Sequence, residues 1–171
     1  MRSALLACLT LAIAAPLGAQ STTPPPPPPD PLHDRFAGRW AGTGTILGQP
    51  SRVELTVERT LDGRFTRLVW VSHIGPPPKT QRFEGHAYYS RPGWDSGYTA
   101  TWFDSSGAVR PIRGGADGDD AVVALWGGAD TEQGETTYRR VAPDAIEVVD
   151  RVLGKNGQWR EFGRSTLRRV P

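Results

Sequence analysis

From Phe36 to Pro171 apolar and polar residues alternate with a period of two in short runs, the pattern of strands with one buried and one wetted face. The clearest run is Arg52–Thr60, where Val53, Leu55 and Val57 mark one face and Glu54, Thr56 and Glu58 the other. Similar runs predict strands at Trp40–Leu47, Arg64–His73, Gln81–Ser90, Tyr98–Asp104, Val109–Gly114, Ala121–Trp126, Thr136–Val141, Ala145–Leu153 and Gln158–Val170. Turn chemistry separates them: Asp62-Gly63, Gly75-Pro76-Pro77-Pro78, Ser105-Ser106-Gly107, Asp117-Gly118 and Asn156-Gly157. Nearly every link is hairpin-sized, whereas a Greek-key sandwich, the alternative, needs at least one long excursion. The expectation is an all-β, up-and-down antiparallel meander barrel of about ten strands, its last strand closed onto its first so that no edge stays exposed. Such a barrel has room for a small ligand, depending on the bulk of its inward side chains.

The first strand opens on Phe36-Ala37-Gly38-Arg39-Trp40-Ala41-Gly42-Thr43-Gly44, in which a Trp among glycines can plug one end of the barrel. Upstream the pattern changes. Residues 1–19 carry one charge, Arg2, an apolar run from Ala4 to Ala15 and small residues before Gln20, which predicts a secretory signal peptide and export to the periplasm or beyond. Leu5-Leu6-Ala7-Cys8 resembles a lipoprotein cleavage box, but too short an apolar segment precedes it. Residues 20–35, with consecutive prolines from Pro24 to Pro29, read as a linker, leaving 36–171 as one folded domain. No later stretch approaches the roughly 20 apolar residues of a transmembrane helix, so the mature chain is not expected to span a membrane.

Cleavage after Ala19 would remove Cys8, and with it any disulfide, and leave 19 basic against 18 acidic side chains. That balance supplies no broad positive field, which disfavours nucleic acid as a partner. Arg outnumbers Lys by 18 to 2, a bias read here as compositional.

Gly38-Arg39-Trp40 resembles the Gly-x-Trp start of the lipocalin and fatty-acid-binding superfamily, the calycins. Phe83-Glu84-Gly85, Tyr98-x-x-x-Trp102-x-Asp104-x-x-Gly107 and the closing Arg168-Arg169-Val170 resemble secreted or cytosolic bacterial lipocalin-like domains of unknown function. The resemblance implies a meander barrel and small-molecule binding, without an activity to transfer. Gly48-Gln49-Pro50 is too short for the two-helix lid of fatty-acid-binding proteins, and the C-terminal helix of lipocalins proper is missing. Nitrobindin-like barrels use a late histidine to hold haem; the last histidine here is His86, so no cofactor is expected by that route.

The remaining chemistry is sparse. His73 should face about Thr80 or Gln81 across its hairpin, which separates it from His86 by roughly 16–20 Å at ~3.3 Å per residue and predicts no shared metal. The acidic runs Asp117–Asp120 and Asp130–Glu135 fall in turns without a metal-binding pattern. Asp150 and Glu161 should share a face of the final hairpin, beside Trp159 and with Val148 and Val152. Two such carboxylates could form an acid and a base for a lyase or isomerase, or pair structurally with arginines such as Arg140. Trp70, Tyr98, Trp102, Trp126, Tyr138 and Arg140 are the candidates to line a ligand site, aromatic groups with polar tips suiting either a pocket or a core. Ala121–Trp126 is apolar on both faces, which points to a homodimer or to cover by the segment before Trp40. Three functions follow from this reading: an exported barrel binding a partly apolar small molecule, a lyase or isomerase, or an envelope interaction protein whose barrel is filled.

Overall fold

The computed structural model describes residues 30–90 and 97–171; the segment expected to be a signal peptide, the proline run and Trp94 lie outside the described residues. Ten strands follow one short helix: α1 Pro31–Phe36, then β1 Gly38–Ile46, β2 Gln49–Thr60, β3 Phe65–Ile74, β4 Gln81–Ser90 and β5 Gly97–Asp104. The second half is β6 Val109–Asp117, β7 Ala121–Trp126, β8 Gly134–Ala142, β9 Ala145–Leu153 and β10 Trp159–Val170. Each strand pairs antiparallel with its sequence neighbour, and β10 returns to pair with β1, closing an up-and-down barrel. The predicted strands therefore stand, with small differences at their ends.

Period-two patterning explains which side chains enter the barrel. In β2, Ser51, Val53, Leu55 and Val57 are buried; opposite them in register stand Ile74, Ser72, Trp70 and Leu68 of β3. Tyr98, Ala100 and Trp102 alternate inward along β5, and Val122, Ala124 and Trp126 do so along β7. Two irregularities interrupt the alternation, one between Arg140 and Ala142 in β8 and one between Glu161 and Gly163 in β10. The hairpin register of β3 and β4 sets His73 opposite Arg82, not Thr80 or Gln81, and His86 opposite Val69.

The linker expected over 20–35 gives way to structure from Asp30 onward. Asp30 caps α1, its carboxylate accepting from the His33 amide at 3.1 Å, and Pro31 occupies the first turn, where a missing amide donor costs nothing. Leu32 and Phe36, one helical turn apart, are both fully buried. The Asp30 carboxylate is itself buried and takes the Arg59 guanidinium at 2.9 Å and the Thr66 hydroxyl at 2.5 Å. Arg35 reaches the Ala121 carbonyl at 2.7 Å, so the segment before Trp40 does cover the start of β7.

Helix α1 seals one end. The Phe36 ring packs tilted against Tyr138 at 6.3 Å, and the Trp40 indole donates to the Phe36 carbonyl at 2.8 Å. Arg169 of the last strand lies over the Trp40 ring at 4.2 Å and donates to the Ala37 carbonyl at 2.6 Å. Trp40 is thus a closure residue, as expected of it, held by a cation–π contact from β10. The meander puts the β1–β2, β3–β4, β5–β6, β7–β8 and β9–β10 turns together at the opposite end.

Candidate ligand-binding site

A cavity of about 300 Å³ occupies the barrel between the α1 floor and the opposite turns. Its walls include Trp70, Ile74, Phe83, Trp102, Ile112, Trp126 and Phe162, and the turn residues Leu47, Ser106 and Glu132 reach its rim. The volume lies at the lower end of the roughly 300–1,000 Å³ usual for small-molecule pockets. The floor is two phenols, Tyr89 and Tyr138, whose far sides rest against Tyr98 at 5.9 Å and Phe36 at 6.3 Å. Burial pushes the hydroxyls of Tyr89, Tyr98 and Tyr138 well above the usual phenol range, so all three are neutral hydrogen-bonding groups at ordinary pH.

Two indoles shape the walls by the same device. Trp102 lies flat across Gly85 of β4, where an added Cβ would fall 1.8 Å from its ring. Trp126 lies across Gly134 of β8, where the corresponding distance is 1.9 Å. Only a residue without a side chain permits either approach. Each indole N–H is fixed from its own end: Trp102 donates to Asp104 at 3.0 Å and Trp126 to the Thr136 hydroxyl at 3.2 Å.

The two aspartates in the cavity wall, Asp104 and Asp150, differ sharply in their surroundings. Burial acts to raise the Asp104 pKa, but donors from the Ser106 hydroxyl, the Trp102 indole and the Ser106 and Ala108 amides outweigh it and hold the group below its ordinary value. Arg110 adds a contact to Asp104 at 3.2 Å and lies 5.7 Å above the Trp126 ring. Asp150 has far less support. Among the described residues its hydrogen-bond donor is the Thr136 hydroxyl, at 2.6 Å, and no basic side chain compensates its charge. Burial, opposed by Thr136 and reinforced by the negative charge of Glu161, raises its pKa from 3.8 to about 6. It is partly accessible and lines the cavity.

Four of the six expected lining residues, Trp70, Trp102, Trp126 and Tyr138, do line the cavity. Tyr98 and Arg140 do not. Tyr98 lies too far toward the closed end, where its hydroxyl accepts from the Leu32 amide at 2.5 Å beneath α1. Arg140 is likewise two positions beyond Tyr138 toward that end, at the β8 irregularity, and its buried Nε has no partner among the described residues. The expected pairing of Asp150 with Glu161 on one face also fails. The β10 bulge sets Asp150 opposite Gly163, turns Phe162 into the cavity against Trp126 at 6.4 Å, and leaves Glu161 outside. Glu161 bonds the exposed Arg164 at 2.7 Å, and that arginine holds its carboxyl below its ordinary value. Trp159, expected beside the pair, is exposed. A lumenal carboxylate pair built from these two residues is thereby lost.

Phe83, Asp104, Arg110, Thr136 and Phe162 belong to the site without having been singled out for it. Arg110 was within reach of the sequence, since it stands opposite Trp102 in the β5–β6 register and shares its inward face. Among the described residues no group of three His, Cys, Asp or Glu side chains could hold a metal, and no helix is long and apolar enough to cross a membrane.

No protein-family model matches the chain, and no curated protein matches it. A solved structure that does match is a de novo designed fluorescence-activating β-barrel, 14% identical, with a TM-score of 0.43 over 81% of this chain and 97% of that one.

Proposed function

We propose that the protein is an exported, lipocalin-like barrel that binds a partly apolar small molecule in its lumen. The observation that carries the reading is the cavity of about 300 Å³, closed at the α1 end and walled by Trp70, Trp102, Trp126, Phe83 and Phe162. Aromatic walls supply apolar contact area, and a few polar groups give orientation. Among them is the Asp150 carboxylate, which lies in the cavity wall. The lipocalin likeness is supported by its sequence motifs meeting in space: Arg169 of the closing Arg-Arg-Val packs on Trp40 of the opening Gly-x-Trp. Export rests on the character of residues 1–19 alone.

The test uses the neutral fluorophore N-phenyl-1-naphthylamine, whose emission rises in apolar surroundings. Saturable one-to-one enhancement is expected for the wild-type protein and its loss in Ala124→Trp, which fills the lumen from β7. A circular-dichroism spectrum and thermal melt establish that the variant is folded. Equal enhancement in a folded Ala124→Trp, or no saturable binding to wild type, would contradict lumenal binding.

A further inference from the structure

We propose that the lumen selects a protonated amine carried on an aromatic or otherwise apolar body, with its ammonium group against the Asp150 carboxylate. This inference rests on the lumenal-binding reading and adds the charge of the ligand. It follows from an inventory of charge around the cavity. Asp104 and Arg110 compensate one another at 3.2 Å, and Asp104 is further occupied by the Trp102 indole and by the Ser106 and Ala108 amides at 3.0, 2.9 and 3.3 Å. Arg110 in turn is held between Asp104 and the face of Trp126, so it is not an open anchor for an anion. Glu132 at the rim adds negative charge. Below that rim, Asp150 is the ionisable group of the wall without a countercharge among the described residues.

Its geometry suits a cation. Thr136 occupies Oδ1, while Oδ2 lies across Gly163, where even a methyl group would come within 3.0 Å, so the carboxyl lies close to the β10 backbone. Around it stand Tyr138 and Thr136 of β8, Val148 and Val152 of its own strand and Phe162 of β10; Glu161 lies behind on the outer face with Arg164. None of these is a cation on the lumenal side. A desolvated carboxylate favours an ammonium ion through a charge-assisted hydrogen bond, and the aromatic walls suit the apolar body that carries it. Binding an amine also supplies the countercharge whose absence makes ionised Asp150 unfavourable in the empty lumen.

Three probes sharing a naphthalene body separate the alternatives by isothermal titration calorimetry at pH 7.5: 2-(1-naphthyl)ethylamine, 2-(1-naphthyl)ethanol and 1-naphthylacetate. The amine should bind about tenfold or more tightly than the alcohol, and the acid most weakly. In Asp150→Asn the amine should fall to the level of the alcohol, so that the tenfold preference for the amine is lost. Should that variant fail to fold, the wild-type pH profile serves in its place, the advantage of amine over alcohol shrinking between pH 7.5 and 5 as Asp150 takes up a proton. Equal binding of all three probes, or tightest binding of the acid, would overturn the amine proposal and leave lumenal binding standing. Failure of the alcohol and of N-phenyl-1-naphthylamine to bind at all would remove both.

Discussion

Replacing Asp150 by Asn should stabilise the protein, by an amount that depends on pH. Asn keeps the size of the side chain and an oxygen that can accept from Thr136, but it cannot ionise inside the barrel. Because the carboxyl titrates near 6 in the folded protein and near 3.8 otherwise, the folded state keeps its proton over a range in which the unfolded chain has released it. Fewer protons bound to the unfolded state mean that stability falls as pH rises. The penalty is absent below about 3.8, develops between the two values, and is complete above about 6. Its full size is about 3 kcal/mol, or roughly 6–12 °C in melting temperature for a domain of this length. Urea denaturation of wild type and Asp150→Asn at intervals from pH 4 to 8 measures it directly. The variant should be the more stable by only about 0.5 kcal/mol at pH 4 and by about 3 kcal/mol at pH 7.5. A difference that stays constant across the range, or a variant less stable at pH 7.5, would refute the assignment of an uncompensated charge to the lumen.

Three further substitutions probe the frame around the cavity. Gly134→Ala should cost about 1–3 kcal/mol in urea denaturation and alter the near-ultraviolet circular dichroism, because the new methyl group displaces the Trp126 ring lying 1.9 Å from its position. Phe36→Ala should cost about 3–5 kcal/mol in the same assay, since Phe36 is fully buried against Tyr138; a loss below about 1 kcal/mol would mean that α1 does not seal the barrel. Tyr98→Phe should cost about 1–3 kcal/mol by leaving the buried Leu32 amide without its acceptor, and should leave the affinity for N-phenyl-1-naphthylamine unchanged because Tyr98 lies below the cavity floor.

The barrel was legible because its determinants are local. Alternation in β2 and the Asp62-Gly63 and Asn156-Gly157 turns each specify strand and hairpin without knowledge of the rest. The site was only half legible. Strand parity correctly places Trp70, Trp102, Trp126 and Tyr138 inward, but parity says nothing about depth. Tyr98 and Arg140 have the inward parity of their strands and lie at the end closed by α1, which was hidden in the linker. The signals for that helix were present: Asp30 as cap, Pro31 in the first turn, and Leu32 and Phe36 four apart. Six residues after a proline run do not hold a helix by themselves; docking onto Tyr138, Arg59 and Thr66 does. Glu161 failed for a different reason. The bulge at Phe162 changes the parity of β10, and nothing in Arg160-Glu161-Phe162-Gly163 beyond the glycine marks it.

Indole N–H resonances offer the most direct test of an open lumen, since the tryptophans divide by position. Trp70, Trp102 and Trp126 line the cavity, Trp40 is sealed in the closed end, and Trp159 faces solvent outside the barrel. In a ¹H–¹⁵N spectrum titrated with 2-(1-naphthyl)ethanol, the three lumenal signals should shift together and saturate, while those of Trp40 and Trp159 stay in place. Shifts confined to Trp159, or lumenal signals that do not move at saturating probe, would contradict a ligand-binding interior.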